Sequence, residues 1–366
     1  MVSPAAIMAA AAAWTALCVS FLLSRALSET RWLQDRPNER SAHARATPRS
    51  GGVAIFAAWI TSMSILALLS KMSGVDNDFL MFAMFATIAF AVGLADDLLT
   101  LKPLVKLAGQ VFTAAAFLYH FDPVSLPALQ IFGDAAANAG AYALTMFAIV
   151  AFMNAYNFMD GVNGLAASCG AFVMAALAVA SVGAGDLAWS MTALMLAVSI
   201  FGFIPTNLNR GALFMGDAGS QFIGFTIAAL AVVCANSDAG PVSILFAPIA
   251  FMPFLFDVAV TLIVRAARGR NILSAHREHI YQRLFMAGVT HGGVTSIYLC
   301  LTAISTALAM MMTLLHGPYQ LIAPVMLTAA FIPLALFVYR FTNPASSAGD
   351  DDRFTRVEQE LRAAAE

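Results

Sequence analysis

Residues 141–183 read AYALTMFAIVAFMNAYNFMDGVNGLAASCGAFVMAALAVASVG, two apolar runs on either side of the polar insert NAYNFMDGVNG. The second run matches the roughly 20 residues that cross a bilayer as a helix, and the first approaches that length when it is continued into the insert as far as Phe158. The rest of the chain repeats this pattern. Of its 366 residues, 60% are hydrophobic and only 11% charged, with mean hydropathy +0.80, whereas soluble domains carry about 25% charged residues. The composition predicts an all-α integral membrane protein, because in lipid the backbone of an open chain must satisfy its polar groups inside helices. Spans are predicted near 5–27, 52–70, 79–95, 104–120, 141–158, 164–182, 187–205, 220–235, 243–265, 294–313 and 319–339, a polytopic bundle of about eleven. The chain divides into one transmembrane domain, 1–341, and a charged tail, 342–366.

Charge sets the orientation. If residues 28–51 face the cytoplasm, alternation leaves Lys71 alone of the 19 Lys and Arg residues on the other side. That is the positive-inside pattern, with the N-terminus outside and the tail inside. The polar clusters at 35–52, 96–106, 154–163, 207–217 and 265–283 then all fall on the cytoplasmic face, which predicts a one-sided site. A channel or transporter more naturally places such residues near the midplane, on broken helices. Cys18, Cys169, Cys234 and Cys300 lie in apolar runs without CxxC spacing, so neither a disulfide framework nor a zinc site is expected. The first run lacks a basic n-region and a clear cleavage site and reads as a retained span.

Each cluster has a chemical and a structural reading. Asp96-Asp97 ends a span with adjacent carboxylates, which call for a nearby cation such as Mg²⁺ or simply cap a helix in water. Asn154, Asn157 and, less exactly, Asp160 and Asn163 recur at three-residue spacing, which on a helix shares much of one face as a helix–helix seam, while the glycines of this block suggest that the chain turns here and lets backbone approach a ligand. Asp217, with Gly216, Gly219 and Ser220, opens a span where exposed N–H groups suit phosphate or an ordinary N-cap. Asp257, inside a span, needs a partner or a water-filled cavity. In the last connection the outer arginines fit a topology-fixing loop, while His276 and His279 fit a diphosphate site.

Together these blocks resemble the polyprenyl-phosphate N-acetylhexosamine-1-phosphate transferases, which include phospho-MurNAc-pentapeptide translocase and the enzymes that initiate O-antigen. The matching blocks, in family order, are DRPNERSAHARATPRSGG, GLADD, NAYNFMDGVNGL, FMGDAGS and HREHIYQRL. The resemblance implies catalytic roles for Asp96, Asp97, Asp217 and His279, and a metal site at Asp217 with Asp97 for Mg²⁺, or Mn²⁺ in its place. It implies substrate contacts from Lys106, Asn157, Asp160, Asn163, Asn207, Phe214, His276, Arg277 and Arg283, with the Phe214 ring stacked on uracil. Asn163 stands where many relatives have Asp, and Tyr281 and Gln282 where they keep histidines.

The implied reaction moves N-acetylhexosamine 1-phosphate from a UDP-sugar to undecaprenyl or another polyprenyl phosphate, releasing UMP, at a bacterial inner membrane. The opening and histidine blocks look closer to the O-antigen branch of lipopolysaccharide synthesis than to the peptidoglycan translocase, which is the alternative. The expected partners are the UDP-sugar, the lipid phosphate and the membrane, with no nucleic acid and a homodimer left open. The rival from another class, a transporter or lipid flippase, calls for an inverted repeat, and the sequence shows none.

Overall fold

The computed structural model describes residues 4–35, 46–70, 77–125, 127–209, 211–238, 242–271, 276–313 and 322–342. The first block from 36 to 45, Lys71, Arg210 and the tail from 343 onward lie outside the described residues. The chain is helical almost throughout: α1 (Pro4–Ser28), α2 (Gly51–Ser70), α3 (Asn77–Leu99), α4 (Pro103–His120), α5 (Asp134–Phe158), α6 (Leu165–Gly183), α7 (Leu187–Leu208), α8 (Gly216–Ala235), α9 (Phe246–Ala250), α10 (Met252–Ala267), α11 (Ile280–Met286), α12 (His291–Thr313) and α13 (Ile322–Phe341). Two-residue strands, Gln34–Asp35 and Thr47–Pro48, pair antiparallel before α2.

Every predicted span contains helix among the described residues. Among the described residues, nine helices are long and apolar enough to cross a membrane. The other two predicted spans differ for readable reasons. Helix α4 carries Lys106 and Gln110, and the span predicted over 243–265 is divided at Phe251 into α9 and α10. Pro253, in the first turn of α10, has no N–H to carry the helical ladder across that point.

Helix α8 is the hub. Of its spanning window 94% is buried, against 22% for α1, as expected of a helix apolar on all sides. It packs against α2, α3 and α5, and two of these approaches are backbone to backbone. A methyl group on Gly52 would collide with the Gly219 backbone, and one on Gly93 with the Asp217 carbonyl. The Gly-Gly at the start of α2 and the glycines of GDAGS therefore let α2, α3 and α8 meet at one end.

Ends of alternate helices share a side. At the end opposite that junction, the Asn236 amide beyond α8 donates to the Asp122 carbonyl after α4 (2.9 Å), and the Ser237 hydroxyl donates to the Asp186 carboxylate before α7. We predict that Gly52→Ala lowers the unfolding midpoint in detergent by the equivalent of about 3 kcal/mol or more, as overpacking against rigid backbone does. Gly183→Ala, with nothing within 4 Å, should leave it unchanged or raise it. Equal behaviour of the two variants would contradict the junction.

Candidate active site

The site is built from the ends of α3 and α5 and the starts of α4 and α8. Helix α8 has no capping side chain of its own, and Asp97, at the end of α3, supplies one. Its two carboxylate oxygens accept the backbone N–H groups of Asp217 (3.1 Å) and Ala218 (2.8 Å). An anion at a helix start satisfies orphan donors and complements the helix dipole. Arg49, just before α2, lies 3.4 Å from the same carboxylate and donates to the Asp97 carbonyl at 2.7 Å. The Arg49 strand is itself stitched to the α8 approach, because Phe214 N–H donates to the Pro48 carbonyl while Gly51 and Gly52 donate to those of Phe214 and Met215.

That anchoring leaves the Asp217 side chain facing inward to a cation. Lys106 Nζ lies 2.9 Å from both Asp96 Oδ2 and Asp217 Oδ2, and 3.4 Å from Asn157 Oδ1. Three oxygens from three helices thus surround one ammonium. Asn157 donates to Asp217 Oδ1 and to the Ser220 hydroxyl, while Asp96 Oδ1 accepts Leu101 N–H. One helical turn deeper, Gln110 exchanges hydrogen bonds with Asn154 and donates to Gln221 at 2.8 Å, fixing α4, α5 and α8 relative to one another.

Asp160 and Asn163 lie beyond α5, in the connection between the predicted spans 141–158 and 164–182, where the glycines suggest a turn. Helix α5 ends at Phe158, and the chain turns through 159–164 to a left-handed Gly164 (φ +81°). Asp160 therefore sits in a turn above the cluster. Its low-polarity surroundings, then the negative charges of Asp217 and Asp97, push its carboxyl well above the usual carboxylate range. Asn163 lies beside Phe214: a methyl on Gly211 would come 2.8 Å from the Asn163 amide and 3.1 Å from the Phe214 ring. Asn207 spends its amide on backbone, accepting Gly164 N–H (2.6 Å) and donating to the Leu213 carbonyl (2.8 Å). It shapes the wall that carries Phe214.

The histidine segment is held by Asp257, which the sequence left open between site and bundle pairing. The structure makes it a pairing residue. Its oxygens accept Ile280 N–H (2.8 Å), Tyr281 N–H (3.1 Å) and the Tyr298 hydroxyl (2.6 Å), and one lies 3.2 Å from His279 Nδ1. His279 is consequently buried, and His276 sits 4.9 Å from it, ring to ring. Burial, then His279 and Arg265, lower the His276 pKa to about 4, so at neutral pH it is an uncharged donor or acceptor. Glu278 joins Arg265 and Arg270, and Arg277 is half-buried beside it. Arg283 donates to the Glu278 carbonyl and stacks over Tyr339, which makes it a brace. Tyr281 donates to the Phe158 carbonyl at 2.9 Å, tying this segment to the turn that bears Asp160.

The profile of glycosyl transferase family 4 matches residues 79–235, the stretch from α3 to α8 that supplies the aspartate cluster. The chain is 33% identical to the decaprenyl-phosphate N-acetylglucosaminephosphotransferase of Mycolicibacterium smegmatis, over 72% of this chain and 71% of that protein. It is 30% identical to the probable undecaprenyl-phosphate N-acetylglucosaminyl 1-phosphate transferase of Bacillus subtilis, over 72% and 73%. With the undecaprenyl-phosphate alpha-N-acetylglucosaminyl 1-phosphate transferase of Escherichia coli it shares 26% identity, over 87% and 85%. The chain belongs to glycosyl transferase family 4. It is a multi-pass membrane glycosyl-1-phosphate transferase.

Within this family 4 chain, the structure brings Asp96, Asp97, Lys106, Asn157 and Asp217 into one hydrogen-bonded cluster, with Asp160 above it and Asn163 and Phe214 along one wall. Arg49 was quoted in a sequence block and given no role; only the fold, which sets it beside a carboxylate 48 residues away, reveals one. We predict that Asp97→Asn, which replaces one amide-accepting oxygen by a donor, lowers thermal stability by about 1–2 kcal/mol. Asp96→Asn keeps an acceptor for Leu101 and should cost less. The melting temperatures of the two purified variants check this ordering.

Proposed function

We propose that this enzyme transfers N-acetylglucosamine 1-phosphate from UDP-N-acetylglucosamine to a polyprenyl phosphate such as undecaprenyl phosphate, releasing UMP, at the cytoplasmic face of a bacterial inner membrane. The observation that carries the reading is the nest of Asp96, Asp217 and Asn157 oxygens around a cation at one end of a membrane bundle. The N-acetylglucosamine and the polyprenyl phosphate acceptor follow what the related enzymes are called, and the UDP carrier follows the resemblance of the sequence blocks. The cytoplasmic side rests on the positive-inside bias of the sequence. The first step of a lipid-linked envelope polysaccharide, O-antigen among them, is the role this reaction serves.

The donor set suits Mg²⁺. Among the described residues no three His, Cys, Asp or Glu side chains form a metal cage, and Mg²⁺ characteristically takes one or two carboxylates and completes its shell with water and substrate phosphates. Asp217 and Asp96, with the Asn157 amide oxygen, would hold it, or Mn²⁺ in its place, once the Lys106 ammonium that these oxygens contact turns to the donor phosphates. Sequence reading paired Asp97 with Asp217 for this role; with both Asp97 oxygens on α8 amides, we assign Asp97 to positioning Asp217. Bound there, the ion supplies charge neutralisation to the donor diphosphate.

The residues of the chain do the rest. Lys106 offers a further cation to the diphosphate, Phe214 a ring face to uracil, and the neutral His276 a hydrogen bond to a phosphate oxygen. A lipid phosphate monoester, with second pKa near 6, is already largely dianionic at neutral pH, so its oxygen attacks the β-phosphorus directly. A new P–O bond forms, the bond from the β-phosphorus to the bridging oxygen breaks, and the electron pair leaves on UMP, with no proton to remove.

Purified protein in detergent should release UMP only when UDP-N-acetylglucosamine, polyprenyl phosphate and Mg²⁺ are all present, and chelation should abolish release reversibly. Asp217→Asn should lower turnover at least about 10²-fold at saturating Mg²⁺, the scale for removing one catalytic electrostatic group. Near-normal turnover would exclude Asp217 from the metal. Phe214→Ala should raise KM for the UDP-sugar about five- to 150-fold, if uracil stacks as bases do on aromatic rings, while KM for the lipid stays level.

A further inference from the structure

A histidine outside every sequence block reaches the nucleotide wall. His291 is the first residue of α12, and its Nδ1 lies 3.3 Å from the Asn163 backbone N–H. One turn along the same face, Thr295 Oγ1 donates to the Asn163 carbonyl at 2.8 Å. With the Asn207 amide on Gly164 N–H, the turn that presents Asn163 hangs from three side chains. Asn207 continues to Leu213, the neighbour of Phe214, and the Asn163 amide and Phe214 ring flank Gly211. The His291 ring also packs on Phe285, with centroids 4.5 Å apart, and Phe285 belongs to α11, the helix that begins at the histidine segment. His291 therefore touches both halves of the site.

We infer that His291 is a positioning residue for donor recognition: as a neutral imidazole accepting at Nδ1, it fixes the Asn163 turn beside Phe214 and couples it to α11. Nothing else about the residue demands a histidine. A helix-start residue needs no ring, and a ring that only packed on Phe285 would need no acceptor. An unprotonated Nδ1 facing an amide N–H uses both properties, because Nδ1 accepts only when it carries no proton. The turn it holds follows α5 directly, so a shift there displaces the Asn163 amide relative to the Phe214 ring. The effect falls on the nucleotide end of the donor.

This inference rests on the uridine-nucleotide reading of the site, and two variants separate its parts. His291→Phe keeps the packing on Phe285 and removes the acceptor. His291→Asn places an amide oxygen near the position of Nδ1 and gives up most of the ring packing. UMP binding to the detergent-purified full chain is measured by calorimetry, with the melting temperature in parallel. KM values for UDP-N-acetylglucosamine and polyprenyl phosphate are measured alongside. His291→Phe should weaken UMP binding about five- to tenfold, the scale of one hydrogen bond. It should raise the donor KM by a similar factor, leave the lipid KM within about twofold, and melt like the parent. His291→Asn should recover most of the loss. Unchanged UMP affinity in His291→Phe, or no recovery in His291→Asn, would overturn the role of His291 while leaving the donor assignment standing. Failure of the unsubstituted protein to bind UMP would overturn both.

Discussion

A carboxylate buried in a membrane bundle must be met by donors, because an uncompensated charge there costs several kcal/mol. Two aspartates meet this constraint in the same way. Asp97 accepts the first amides of α8, and Asp257 accepts the first amides of α11. Each cancels a second debt, the unpartnered N–H groups of a helix start, which have no water to turn to. The result is geometric as well as energetic. Asp97 ties α3 to α8 so that Asp217, one of the residues whose amide it holds, turns its own carboxylate toward Lys106 and Asn157.

The rest of the architecture serves that junction. Glycines at 52, 93 and 219 permit α2, α3 and α8 to touch backbone to backbone, and the amide network of Gln110, Asn154 and Gln221 locks α4 and α5 onto α8 a turn deeper. On the other flank, Asp257 presents the histidine segment, and Tyr281 joins it to the end of α5. A rigid cluster of fixed charges at a bundle end is well matched to phosphoryl transfer, in which the protein chiefly positions groups and stabilises charge.

Much of the fold was legible because it is written in apolar runs whose lengths match a bilayer, and the one-sidedness of the site followed from where the runs are interrupted. Asp96, Asp217 and Asn157 stood out as polar residues in apolar company. What stayed hidden was long-range or conformational. The partners of Asp97 lie 120 and 121 residues away, so its capping role has no local signature. Gly161 and Gly164 signalled the turn after α5, but that this turn sets Asn163 beside Phe214 depends on the fold. Asn207 and Arg283 stood out as candidate pocket residues, but the backbone partners of their side chains lie where only the fold brings them. His291 had no motif around it, and only the approach of α12 to the turn after α5 gives it a role.

With Asp97 held on the start of α8, Asp217 is the carboxylate left to serve the proposed metal. A crystal structure of the protein with UMP and Mn²⁺, measured at the manganese absorption edge, tests this directly. An anomalous peak is expected at the Asp217 carboxylate, with Asp97 still accepting the Asp217 and Ala218 amides. A peak at Asp97 with those amide contacts broken, or a peak away from both residues, would contradict it.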